Sequence, residues 1–188
     1  LPEGLTEIRD EAFWWCANLK QVCAPDSLIH IGRDCFKGTA FYRYYSENEN
    51  DWGDFLILGK CLVLARRNIR EADIPEGIRM IVSDAFFEHV LLEKAVIPDS
   101  VAYIGWRAFA NCTGLRGIRI PGSVKRIGWH CFKDCTRLQE IRLEEGTEVM
   151  ENGVFSGCRR LTQIELPATV EGIPGWCFFG CGSLLRVE

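Results

Sequence analysis

The sequence predicts a solenoid: short coils stacked along one axis, each giving one strand and one helical or 3₁₀ turn. Three observations predict it. Phenylalanine recurs at Phe13, Phe36, Phe86, Phe109, Phe132, Phe155 and Phe178, 23 residues apart except across Phe36–Phe86, where the gap is 50. Other columns keep the same phase, among them Leu92, Leu115, Leu138, Leu161 and Leu184 six residues after the Phe. Finally, no unit of 23 residues can bury its own apolar side, whereas stacked units turn each column into a continuous ladder.

Each element of the unit follows in order. "LRGIRI" and "LQEIRL" alternate apolar and polar residues, the pattern of a short strand with one buried face. Pro25, Pro98, Pro121 and Pro167 come next and end the ladder, because proline has no N–H to donate. "SVKRIG" then turns the chain back. "WHCFKDC" places Cys131, Phe132 and Cys135 at the spacing of one helical or 3₁₀ turn. Each buried Phe is expected to contribute roughly 1.5–3 kcal/mol.

Residues 38–74 break the period. "GTAFYRYYSENENDW" is aromatic, then polar and acidic. "FLILGKCLVLA" predicts strands at about 55–58 and 61–65 joined by Gly59-Lys60, a two-residue loop of type II′ that projects from the solenoid or leans on it. Two readings stand: a recognition element, or a spacer packing Phe41, Tyr42, Tyr44 and Tyr45 against neighbouring coils.

Composition excludes several classes. The chain has 188 residues, 47% hydrophobic and 26% charged, with a net charge of −4. That is a folded chain rather than a disordered one. No Lys/Arg-rich run favours nucleic acid or an anionic membrane. No apolar run reaches the ~18 residues of a membrane helix. The chain opens inside the repeat, without a signal peptide, and reads as a fragment or processed domain.

Ten cysteines are many for this length. Cys16, Cys112, Cys135, Cys158 and Cys181 form the column three after Phe; Cys35, Cys131 and Cys177 share a column with Ala12, Ala85, Ala108 and Val154. These positions want small buried residues, a role that free Cys fills. Tetrahedral zinc would need four converging ligands, and the C-x3-C pairs repeat only because the coil does. Cys23 and Cys61 lie outside the columns and are the expected reactive thiols. His89 sits in the Cys column and is expected to be packed; His130 lies in a variable column and is expected to be exposed. No His has a Ser or Asp at catalytic spacing, so no catalytic residue and no cofactor is assigned.

The segments "IPDSVAYIGWRAFANCTGLRGIRI", "IPGSVKRIGWHCFKDCTRLQEIRL" and "LPATVEGIPGWCFFGCGSLLRVE" follow I-P-x-S-V-x-x-I-G-x-x-A-F-x-x-C-x-x-L-x-x-I. That pattern resembles the bacterial BspA-like leucine-rich repeats, the Treponema pallidum type, over nearly the whole chain. The resemblance implies an α/β fold: a right-handed leucine-rich-repeat solenoid over residues 1–188. It would have a parallel β-sheet on the concave side, helical or 3₁₀ turns on the convex side, and one inserted β-hairpin. It also implies binding at the surface of bacteria or some protists, with a protein or glycan ligand. The many thiols favour a reducing compartment or an anaerobic setting, which pulls against the surface location and towards an intracellular protein–protein scaffold.

Outward strand positions mark the expected partner surface: Lys94, Glu140 and Gln163 eight after Phe, and Arg119, Arg142 and Glu165 ten after. Arg119 and Arg142 beside Glu140 and Glu165 would make a charged patch, or a self-paired ladder of little net energy. Trp106 and Trp129, three before Phe, are placed on the convex side as a sugar or protein platform, or as a shield for the turn. Open coil ends would allow weak end-to-end self-association.

Overall fold

The computed structural model describes residues 1–48 and 52–188. Part of the aromatic-acidic stretch, residues 49–51, therefore lies outside the described residues. In chain order the elements are β1 (Glu7–Ile8), β2 (His30–Ile31), α1 (Ala40–Glu47), β3 (Phe55–Leu58), β4 (Cys61–Ala65), β5 (Glu71–Asp73) and β6 (Met80–Ile81). There follow β7 (Lys94–Val96), β8 (Tyr103–Ile104), β9 (Gly117–Ile120), β10 (Arg126–Ile127), β11 (Glu140–Leu143), β12 (Val149–Met150), β13 (Gln163–Ile164) and β14 (Arg186–Val187). The period is visible in the register: Arg119 pairs with Arg142 and Glu71 with Lys94, each 23 residues on.

The predicted strand of each unit forms one face. β5 pairs with β7, β9 with β11 and β13 with β14, all parallel, and β9 lies beside β7 as β13 lies beside β11. "SVKRIG" does more than turn. Its Arg126–Ile127 is a second, two-residue strand, and such strands line up as β12-β10-β8-β6 in a six-stranded sheet completed by β4 and β3. Each of these two-residue strands carries a single inward residue: Ile81, Ile104, Ile127 and Met150.

Between the two sheets the phenylalanines stack. Phe86, Phe109, Phe132 and Phe155 are fully buried, with centroids 4.6, 5.3 and 5.7 Å apart and planes within 15°. The backbone around each Phe is a turn, not a helix. N–H groups of Arg107, Phe109 and Asn111 donate to Trp129, Cys131 and Lys133 of the next coil. Those of Ala108, Ala110 and Cys112 donate three residues back within their own coil. This alternation puts the residues two before and two after the Phe in the left-handed region: Arg107, Asn111, His130, Asp134, Gly153 and Gly157. His130 was expected simply to be exposed; it is partly buried, and its column is constrained through the backbone.

The hairpin falls as predicted, with Leu58 opposite Cys61 and Gly59 at φ +57°, the conformation a II′ turn requires at its first position. It does not project. β4 pairs in parallel with β6 while β3 closes the sheet on the other side. A Cβ on Gly59 would lie 2.6 Å from the Pro25 carbonyl oxygen, so the turn touches the N-terminal coils.

β4 and β6 consequently carry a core on each face. Leu62 and Ile81 join the C-terminal core of Phe86 to Phe155. Cys61, Val63, Met80 and Val82 point the other way, against Ile8, Leu28, Ile31, Phe36 and Phe41 of the N-terminal coils. The helix α1, which the sequence reading left out, serves this second core. Thr39 caps it, its Oγ accepting the Tyr42 N–H at 3.0 Å. Phe41 is buried, edge-to-face with Phe36 and Tyr45 at 5.4 and 5.0 Å. Tyr42 and Tyr45 pack there too, whereas Tyr44 is half-exposed. The packing alternative holds for three of the four aromatics.

The cysteine column also does more than fill space. Sγ of Cys112, Cys135 and Cys158 donates to the Phe86, Phe109 and Phe132 carbonyls at 3.1–3.3 Å, one coil back. Cys61, an expected reactive thiol, is fully buried at the junction, and burial pushes its thiol up to about 12. A group that rarely becomes thiolate is a poor nucleophile, so that expectation is withdrawn. Cys23 is exposed, and so is Cys16 of the column.

His89 fills the Cys column at 3% exposure, Nε2 3.1 Å from the Ala65 oxygen and Nδ1 3.2 Å from the Phe87 oxygen. Burial lowers its pKa, outweighing the carbonyl contacts that raise it. The folded state therefore binds fewer protons than the unfolded one, whose histidine titrates near ~6.5. Its contribution is complete above that pH and is lost as pH falls through it. We expect stability to decline between pH 7 and 5, and His89→Cys to flatten the decline. Denaturant midpoints at the two pH values test this; equal slopes for both proteins would contradict it.

Candidate functional site

The first face described above holds a groove of about 890 Å³. Its floor comes from β7, β9, β11 and β13. Alternation along each strand sends Ala95, Ile118 and Ile164 inward and leaves residues on either side of them facing the groove. Lys94, Arg119, Glu140, Arg142, Gln163 and Glu165, the six strand positions picked from the sequence, all line it. Gly117 lowers the floor, and Val96, 42% exposed, adds an apolar spot.

The charges do not pair as expected. Arg119 turns from Glu140 and Glu165 to the loop that follows β11: Nε and Nη2 donate to Glu144 at 2.8 and 2.7 Å. Nη2 also reaches Asp99 at 2.9 Å. Arg142 stands 3.6 Å from the same Glu144. Hydrogen bonding to Arg119, then the charges of Arg119 and Arg142 in that order, holds the Glu144 carboxyl below its ordinary value. Sequence reasoning missed the roles of Glu144 and Asp99: Glu144 was visible only as the residue that breaks the proline column twelve after Phe, and no column shows which way an acidic side chain past the strand turns. It also missed Arg160, Thr162 and Ser183 on the far rim. Exposed pairs of this kind add little net stability. Arg119→Glu together with Arg142→Glu is accordingly expected to move Tm by no more than about 2–3 °C; a larger drop in a thermal melt would make these side chains structural.

Trp106 and Trp129 are not in this groove. They follow β8 and β10 on the six-stranded sheet, and with Tyr103 and Glu151 they line a separate groove of about 220 Å³. Asp10, His30 and Arg33 of the N-terminal coils supply its other wall. Trp129 is 49% exposed; Trp106 is partly covered, with the Arg107 guanidinium 4.2 Å from its ring centre.

Among the described residues, no three His, Cys, Asp or Glu side chains converge as a metal site would require. No helix of the described residues is long and apolar enough to cross a membrane.

Stacked coils, parallel strands and a phenylalanine spine define the class as a leucine-rich-repeat solenoid. The chain belongs to the BspA type leucine-rich repeat family, whose model matches six copies over residues 1–51 and 61–187. Solved structures agree. A leucine-rich repeat protein of T. pallidum is 29% identical, with a TM-score of 0.65 over 68% of this chain and 62% of that one. A leucine-rich cell surface protein of Faecalibacterium prausnitzii is 27% identical, with a TM-score of 0.67 over 100% of this chain and 52% of that one. A protein from Eubacterium ventriosum, 21% identical with a TM-score of 0.60, shares the fold; this chain is covered in full and that one over 53%. The chain thus spans between half and two thirds of the length of these relatives. No curated protein sequence matches it.

Proposed function

We infer that this chain is a non-enzymatic recognition module that holds a protein partner in the groove of Lys94, Arg119, Glu140, Arg142, Gln163 and Glu165. One observation carries the reading: a single open groove of about 890 Å³ runs across four coils and is lined by every outward strand residue of those coils that carries charge. The parallel ladder holds the strand backbones in place, so only the side chains have to be ordered on binding, which limits the cost. Mixed signs across the groove favour a partner segment of complementary charge and set register more than raw affinity.

Family membership and the likeness to a cell surface protein at 27% identity support a place on the bacterial surface. The rival, an intracellular scaffold, draws on the unpaired thiols, eight of which are buried or partly buried. An antibody raised against this chain separates the two. Labelling of intact source cells is the expected result. Signal confined to the cytosolic fraction would overturn the surface reading and leave the scaffold.

A further inference from the structure

The smaller groove exists only because the two cores meet. Its one wall, Tyr103, Trp106, Trp129 and Glu151, belongs to the regular coils; its other, Asp10, His30 and Arg33, belongs to the N-terminal coils docked on the outward face of β6. In an uninterrupted stack this face would be flat and open, as it is around Arg126.

Three features of the groove point to one ligand chemistry. The first is aromatic. Trp129 leaves 49% of its surface to solvent, and Tyr103, which also lines the groove, stacks its ring on His30 at 5.9 Å. An exposed indole with a polar tip prefers a ligand that has an apolar face and polar edges.

The second is the pair of carboxylates. Glu151 is fixed by the Trp129 N–H at 3.1 Å and by Arg126 Nη1 at 3.2 Å. Asp10 is fixed by the Arg33 N–H at 2.7 Å. Each carboxylate has about four acceptor sites, so both retain lone pairs for hydroxyl donors.

The third is charge balance. Arg126 pairs with Glu151 and Arg33 stands 3.9 Å from Asp10. Each carboxylate is matched by its own guanidinium, so neither a cationic nor an anionic ligand would meet a net field of opposite sign. A neutral ligand rich in hydroxyls uses what is left. The volume, below the ~300 Å³ at which drug-sized pockets begin, suits one ring.

We propose that this groove binds a single neutral pyranose residue of a glycan, its C–H face laid on Trp129 and its hydroxyls donating to Glu151 and Asp10. The site is independent of the larger groove, so either can fail without the other.

An array of neutral, sulfated and sialylated oligosaccharides, followed by titration of the best neutral binder with tryptophan fluorescence for the unsubstituted protein and calorimetry for every variant, tests it. We expect a neutral oligosaccharide to quench the fluorescence. Trp129→Ala should weaken binding by about tenfold, the order of one lost aromatic contact. Glu151→Gln, which keeps one acceptor, should weaken it severalfold. Trp176→Ala, removing an indole outside both grooves, should change nothing. A glycoprotein probed before and after deglycosylation separates the sources: loss on deglycosylation marks a protein-linked glycan, and retention by free oligosaccharide alone marks a polysaccharide. Either supports the site. Binding only to sulfated or sialylated glycans, binding of choline in place of sugar, equal loss in Trp176→Ala, or no binding at all would overturn it.

Discussion

Phe132→Ala is expected to lower the unfolding free energy by about 3–5 kcal/mol, the range for a phenylalanine removed from a core that cannot collapse around the gap. Phe132 is fully buried between Phe109 and Phe155, 5.3 and 5.7 Å away. Its N–H donates to Val154 and its carbonyl accepts the Cys158 thiol, so its backbone is tied to the coil on one side by two bonds. Those ties keep the coil in place when the ring is lost, and the cavity stays. In a stack, stability is a sum of units and nearest-neighbour interfaces, and this substitution damages two interfaces at once. Denaturant unfolding measures the effect. A loss under ~1 kcal/mol would remove Phe132 from the core.

The second large effect belongs to the junction. Met80→Arg is expected to cost about 3–5 kcal/mol, the scale of a buried charge without a partner. In the regular coils the same column carries Arg126, which is exposed. At Met80 it is covered: the side chain is 1% exposed, and its sulfur lies 3.4 Å from the Ile31 N–H. An arginine there would be harmless in an uninterrupted solenoid and damaging in this one. The N-terminal coils should detach first, giving early proteolysis within 1–48 while the C-terminal core still unfolds cooperatively. Wild-type stability in Met80→Arg would falsify the two-core arrangement.

Much of this was legible in the sequence because a solenoid writes its packing along the chain. A 23-residue column of Phe is a spine, and the outward strand positions could be named before any coordinate. The hairpin was legible for a local reason, a Gly-Lys pair between two apolar runs. Besides the helix α1, three features were not read. The two-residue strands of the second sheet carry one inward residue each, too few for any periodicity. The left-handed residues did leave a trace: Asp34, Gly38, Asp84, Asn111, Asp134, Gly153, Gly157 and Gly180 all fall two from a Phe, and these residue types tolerate that conformation best. Arg107, His130 and Trp176 in the same columns hid it. The junction had the faintest signal: Val82 stands where regular coils have Gly105, Gly128 and Glu151, and Met80 stands beside Tyr103 and Arg126 in its column. Apolar residues on an outward face announce that something covers it, but not what.

The larger groove was legible as positions and not as interactions. Column arithmetic placed Arg119 beside Arg142, correctly, since they are register partners. It could not give Glu144 a partner, because Glu144 replaces the proline of its column and the repeat holds no precedent for a side chain reaching back to Arg119.

The central claim, that the groove of β7, β9, β11 and β13 holds a protein partner, is tested most directly by capture from a panel of extracellular-matrix and serum proteins. The account predicts that at least one is captured. It further predicts that Arg119→Glu with Arg142→Glu weakens that capture by about tenfold or more, the ~1.4 kcal/mol of one lost charge-complementary anchor, with Tm nearly unchanged. No capture, or capture that the double variant keeps in full, would contradict it.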